Sequence, residues 1–209
     1  MHDKNKWKLI LASGSPRRRE LLSHLKVPFE VQVSDVAEES AHSDPRAFAL
    51  AVAELKGEAI ARTQNVARTV VISSDTVVAL DGEIFGKPRD ISHAREILRT
   101  LAGKRHQVHT AVSIFVRRAE AWSQVQHVES TDVDFLPFNE RLVENYLASG
   151  DCLDKAGAYG IQGQALSFIG GIHGCYASVM GFPLSRVAHL LSEILGPETK
   201  DGTSWQDLF

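Results

Sequence analysis

The run Ser13-Gly14-Ser15-Pro16-Arg17-Arg18 follows the apolar stretch Leu9-Ile10-Leu11-Ala12, so a buried strand turns abruptly into a pair of cations. A small-residue turn exposes backbone N–H groups. Ser15 is placed to cap a helix whose first position is Pro16 and which continues through Arg19, Leu21, Leu22 and Leu25. The helix N-terminus carries partial positive charge, which disfavours arginines in its first turn unless an anion sits there. Arg17 and Arg18 beside such a turn suit a polyphosphate; a solvated basic turn is the competing reading.

Four further constellations carry possible chemistry. Asp75 lies in Ser73-Ser74-Asp75-Thr76, between the apolar runs Val70-Val71-Ile72 and Val77-Val78-Ala79-Leu80. A carboxylate in such a setting is costly without a cation, a metal ion or a proton to take, which fits a general base or a metal ligand. A turn aspartate bonded to nearby N–H groups is the alternative. Lys87, in Gly86-Lys87-Pro88-Arg89, supplies an ammonium on a stiffened turn. Lys56 flanks the apolar face of a helix, so its stem can pack while its ammonium reaches a cleft. In Asp154 to Gly163, glycines at 157, 160 and 163 permit close backbone approach, Tyr159 can stack or pack, and Gln162 offers donors and an acceptor to a nucleobase edge. The spacing matches neither a Walker A loop nor the dinucleotide fingerprint. His106 and His109 fall on opposite faces of a strand and make no metal pair.

The elements that would position these groups alternate. Strands are expected at Leu9–Ala12, Phe29–Val33, Val70–Ile72 resuming at Val77–Leu80 after a break at Ser73–Thr76, and Glu83–Phe85. A hairpin is expected from Val108–Val116 and Trp122–Phe135 with its tip at Arg117–Glu120, and a last strand at Ala165–Ile169. Helices are expected after Asp44-Pro45, after a Ser92 cap, after Asn139, and over Leu184–Leu195. The order predicts a single α/β domain with a long twisted mixed sheet flanked by helices. Residues 1–8 read as an N-terminal extension, 9–196 as the domain and 197–209 as a mobile tail.

The 209-residue chain has a net charge of −3 and 44% hydrophobic residues, ordinary for a globular protein and against a nucleic-acid polymer or an anionic membrane as main partner. Cys152 and Cys175 lack C-x-x-C spacing, so neither a disulfide framework nor a zinc site is indicated. With no apolar span and a polar start, the expected location is the cytoplasm.

Taken in order, Leu-Ala-Ser-Gly-Ser-Pro-Arg-Arg, Ser-Asp-Thr, Gly-Lys-Pro-Arg, Asp-Lys-Ala-Gly-Ala-Tyr-Gly-Ile-Gln-Gly and Gly-Phe-Pro-Leu resemble the Maf family of nucleotide pyrophosphatases over about Leu9 to Leu195. The resemblance implies a fold similar to the inosine-triphosphate pyrophosphatases, a homodimer, and metal-dependent (Mg2+ or Mn2+) hydrolysis of a nucleoside triphosphate to monophosphate and pyrophosphate. It also implies roles: Asp75 as proton acceptor; Ser13, Arg17, Arg18, Lys56 and Lys87 on the phosphates; Glu38 with Asp75 at a metal; Arg18, Thr76 and Gln162 in substrate choice. The Ala-Tyr-Gly-Ile-Gln-Gly form resembles the branch acting on dTTP and UTP. Cys175 and Ser178 depart from the serine and asparagine of many relatives. The rival expectation is a non-catalytic nucleotide-binding regulator of cell division, an inhibitor of septum formation.

Overall fold

Runs of β-branched residues such as Val70-Val71-Ile72 favour extended backbone with both faces buried. The computed structural model, which describes residues 6–199 and 203–209, gathers such runs into one sheet. In chain order the elements are β1 (Lys8–Leu11), α1 (Pro16–Ser23), β2 (Glu30–Val31), α2 (Pro45–Ala61), β3 (Thr69–Leu80), β4 (Glu83–Phe85), α3 (Ile91–Leu101), β5 (Arg105–Arg118), β6 (Ala121–Phe135), α4 (Glu140–Ala148), β7 (Ile169–His173), α5 (Tyr176–Val179) and α6 (Leu184–Leu195). Among the described residues the sheet has seven strands in the order β2-β1-β3-β5-β6-β7, with β4 on β3. β1 pairs parallel with β2 and β3, and every other pairing is antiparallel. A flanked, mixed α/β sheet is the expected architecture.

Several expectations need correction. No break interrupts β3: Ser73 to Thr76 continue the ladder with Ser113 to Thr110 of β5. Their polarity is absorbed by partners, because Ser73 Oγ donates to the Ala53 carbonyl at 2.6 Å and Ser74 Oγ to the Gly181 carbonyl at 3.0 Å. The strand expected at Phe29–Val33 shrinks to the exposed pair Glu30–Val31. Ala165 to Phe168 belong to a 3-10 turn, and the strand begins at Ile169. Asp90, not Ser92, caps α3, its carboxylate accepting the His93 N–H at 2.8 Å. The hairpin is longer than expected, with its turn at Ala119-Glu120.

The chain ends are also more ordered than expected. Trp7 is buried, so the core reaches into the expected extension, whose residues 1–5 lie outside the described residues. The expected mobile tail docks over residues 203–209: the Trp7 N–H donates to the Leu208 carbonyl at 2.8 Å, and Trp205 joins the core beside Trp7. Buried indole surface outweighs the lack of periodicity that suggested mobility.

Strand alternation puts Val70, Ile72, Ser74, Thr76 and Val78 on one face of β3. Val70 and Ile72 join a core built with α1 and α6, and Val78 joins a second core built with α3 and α4. Ser74 and Thr76 fall in the polar gap between the two. On the opposite face, Val71 and Val77 pack with residues of α2, and Asp75 shares that side.

Candidate active site

The sheet itself opens the cleft. β3 is paired with β1 as far as Ile72 and with β4 only from Val78, so the edge of Ser73 to Val77 borders neither strand. Side chains from both faces of β3 therefore reach one cavity of about 700 Å³. All nine residues expected to form the site line it: Ser13, Arg17, Arg18, Glu38, Lys56, Asp75, Thr76, Lys87 and Gln162.

The Ser13–Ser15 turn follows β1 directly, and α1 starts as its residues dictate. Pro16 stands in the first turn and the Ser15 hydroxyl accepts the Arg18 N–H. The Arg18 side chain then folds back across the turn. Its Nε donates to the Gly181 carbonyl at 2.9 Å, one terminal nitrogen to Ser13 Oγ at 3.2 Å and the other to Thr76 Oγ1 at 3.4 Å. All three acceptors are neutral, which fixes the guanidinium without cancelling its charge. Burial lowers its pKa from the ordinary value, opposed by the nearby Asp75 and Glu38. Arg17 instead leans on Asp154, 3.6 Å away.

On the other face of β3, α2 delivers Lys56. Its Nζ lies 2.7 Å from Asp75 Oδ1 and 3.0 Å from Glu38 Oε1, while Lys87 Nζ reaches Glu38 Oε2 at 3.3 Å. Two carboxylates and two ammonium groups thus alternate along the wall. Burial raises the Asp75 pKa, outweighing the pull of Lys56 and Arg18. At Glu38 burial acts in the same sense, but Lys56 and Lys87 together win, and its pKa falls below the ordinary value. One carboxyl is thereby tuned toward basicity and its neighbour toward a permanent charge. Among the described residues, no group of three or more His, Cys, Asp or Glu side chains is arranged to hold a metal ion by itself.

A family profile described as Maf-like protein matches residues 8–194, almost the full chain. This chain belongs to the Maf-like family. Similar proteins include the dTTP/UTP pyrophosphatase of Deinococcus radiodurans, 47% identical over 184 residues that cover 88% of this chain and 91% of the relative. The dTTP/UTP pyrophosphatase of Bacillus cytotoxicus is 42% identical over 187 residues, covering 89% and 95%. That of Bacillus mycoides is 43% identical over the same length and coverage.

Two parts of this Maf-like site were not legible as such. Lys155 is buried and donates to the Asp151 carbonyl and carboxylate and to Asp154 Oδ1 at 2.5 to 2.7 Å, joining the Arg17 partner to the floor of the glycine loop. A Cβ on Gly160 would lie 2.5 Å from Lys155 Cε, so this glycine serves close approach. Tyr159, expected to stack or pack, packs: it is buried and its hydroxyl is 2.8 Å from His106 Nε2. The second part is the hydroxyl floor of Thr110, Thr131 and Ser178 behind Thr76. Only the adjacency of β3, β5, β6 and α5 reveals it.

Proposed function

We propose that this chain hydrolyses dTTP and UTP to the nucleoside monophosphate and pyrophosphate, by attack of water on the α-phosphorus. The observation that carries the reading is Asp75, a buried carboxylate facing a cleft lined by Arg17, Arg18, Lys56 and Lys87, in a chain similar to dTTP/UTP pyrophosphatases. Arg18, held rigid by neutral acceptors, and the two lysines neutralise the triphosphate and orient it. Positioning and charge stabilisation make up most of phosphoryl-transfer catalysis. The N–H groups of the Ser13–Ser15 turn and the α1 N-terminus add donors for phosphate oxygens. Asp75, its pKa raised by burial, accepts the proton of the attacking water, and the α–β bond breaks to release pyrophosphate.

The donor chemistry fits a hard divalent cation of the magnesium type, which takes one or two carboxylates and completes its shell with substrate phosphates and water. Asp75 and Glu38, both facing the cleft, are the residues that would hold Mg2+ or Mn2+ there. Bound, such an ion supplies charge neutralisation on the phosphate oxygens. Cytoplasmic residence and a homodimer belong to the same reading, supported by the family; no helix of the described residues is long and apolar enough to cross a membrane.

A nucleotide panel assayed for pyrophosphate, with and without Mg2+ or Mn2+, tests the reading. UTP and dTTP should each yield pyrophosphate and monophosphate in equal amounts, and only with the cation. Asp75→Asn should keep the fold and lose about two to four orders of magnitude in kcat. A folded Asp75→Asn variant with normal turnover would remove Asp75 from this role, and absence of pyrophosphate from every nucleotide would favour a binding protein.

A further inference from the structure

The two faces of β3 present different chemistry to the cleft. Asp75 pairs with Lys56, which also meets Glu38, itself paired with Lys87; the two ammonium groups match a triphosphate. Thr76 stands among neutral groups, Thr110 and the carbonyls of Ser178 and Gly181, with Arg18 as the neighbouring charge. Apart from Arg18, these partners carry no charge, which suits an uncharged ring.

A proton count fixes what Thr76 can do. A threonine hydroxyl has one proton and two lone pairs. Thr110 Oγ1 donates to the Ser178 carbonyl at 2.7 Å, and a carbonyl can only accept. Thr110 has no second proton, so in its 3.0 Å contact with Thr76 Oγ1 it must be the acceptor. The single Thr76 proton is spent there. Arg18, a donor only, takes one Thr76 lone pair. One lone pair remains, and it can meet nothing but an N–H or O–H.

We propose that Thr110 is a positioning residue for base choice: by taking the Thr76 proton it makes Thr76 a pure acceptor, selecting the imide N3–H of uracil and thymine against the N3 lone pair of cytosine. This rests on the assignment of UTP and dTTP as substrates. Thr110 is fully buried, and its hydroxyl bonds to Thr76 and the Ser178 carbonyl, so it acts through Thr76. A site built to accept from a substrate N–H discriminates strongly against an analogue lacking it.

The test compares kcat/KM for UTP and CTP in the wild type, Thr110→Val and Thr110→Ser, with thermal unfolding alongside. Valine preserves shape but frees the Thr76 proton to turn toward cytosine N3. The Ser178 carbonyl still accepts the Gly181 N–H at 2.8 Å, so no buried acceptor is orphaned. The wild type should prefer UTP by at least about a hundredfold, Thr110→Val should lower that ratio by at least about tenfold, and Thr110→Ser should restore it. If the valine variant does not fold, wild-type enzyme given 3-methyluridine triphosphate supplies the test: a loss of at least about a hundredfold against UTP is expected, and equal turnover overturns the proposal. A wild type inert toward UTP sinks the substrate assignment itself. An active Thr110→Val variant with the wild-type ratio sinks only the role of Thr110.

Discussion

Lys56 Nζ lies 2.7 Å from Asp75 Oδ1, and both side chains are about nine-tenths withdrawn from solvent. The pair spans α2 and β3 and joins a largely buried ammonium to the carboxylate whose pKa burial raises. Breaking a buried pair leaves its partner uncompensated, so the consequences for Asp75 can be worked out by sign.

Lys56→Met should lower kcat/KM by about two orders of magnitude, as expected for loss of a charge aimed at the transition state. Lys56 also pulls the Asp75 pKa down against burial. Its removal should therefore move the acid limb of the kcat/KM profile to higher pH, since that limb reports the free enzyme's base. A limb that stays in place while activity falls would assign it to another group.

Gly57 is where α2 touches the sheet. A Cβ there would come within 2.5 Å of both Phe115 Cε2 and Ser73 Oγ. Helix propensity alone favours alanine by about 1 kcal/mol, whereas overpacking costs about 1–3 kcal/mol. Gly57→Ala should be net destabilising in urea unfolding and should reduce activity by shifting the adjacent Lys56. A stabilised, fully active variant would show that the helix can back away freely.

His106 is buried beside Phe135 and Tyr159, and burial pushes its pKa down from 6.5 to about 4, against the weaker pull of Asp134 and Asp132. Between those values the unfolded chain binds the extra proton. Stability is thus complete above about pH 6.5 and falls with acidification, by about 3 kcal/mol in the limit. Asp75, with its raised pKa, works in the opposite sense, gaining relative stability as pH falls. The difference between wild type and His106→Gln, measured by urea unfolding at pH 7 and 4.5, isolates the histidine. It should shrink toward low pH, and a constant difference would refute this origin.

Trp205 closes the core beside Trp7, with Phe209 edge-on to its ring. Trp205→Ala should cost about 3–5 kcal/mol in chemical unfolding. Because no atom of Trp205 lines the cleft, kcat on UTP should be unchanged at temperatures where the variant is folded. A cost near zero would return the tail to the mobile class expected from its lack of periodicity.

Local chemistry made much of the protein readable in advance. Ser15 and Asp44 cap their helices ahead of Pro16 and Pro45, Asn139 caps α4, and α6 runs from Leu184 to Leu195, because each signal acts within one turn of helix. The family resemblance pointed to nine residues, and all nine are among those that line the cleft. What sequence could not supply was partnership across the fold. Ser73 to Thr76 suggested a broken strand because polar residues there need acceptors that lie 20 and 107 positions away, on Ala53 and Gly181. The dimensions and tuning of the site arose in the same way. Asp75 is made basic by burial that only packing creates, Arg18 is held by Gly181 from the far end of the chain, and the proton on Thr76 is disposed of by Thr110 from the neighbouring strand. Residue types determined which charges and caps were present; the sheet's unpaired edge, where β1 ends before β4 begins, decided that they should meet.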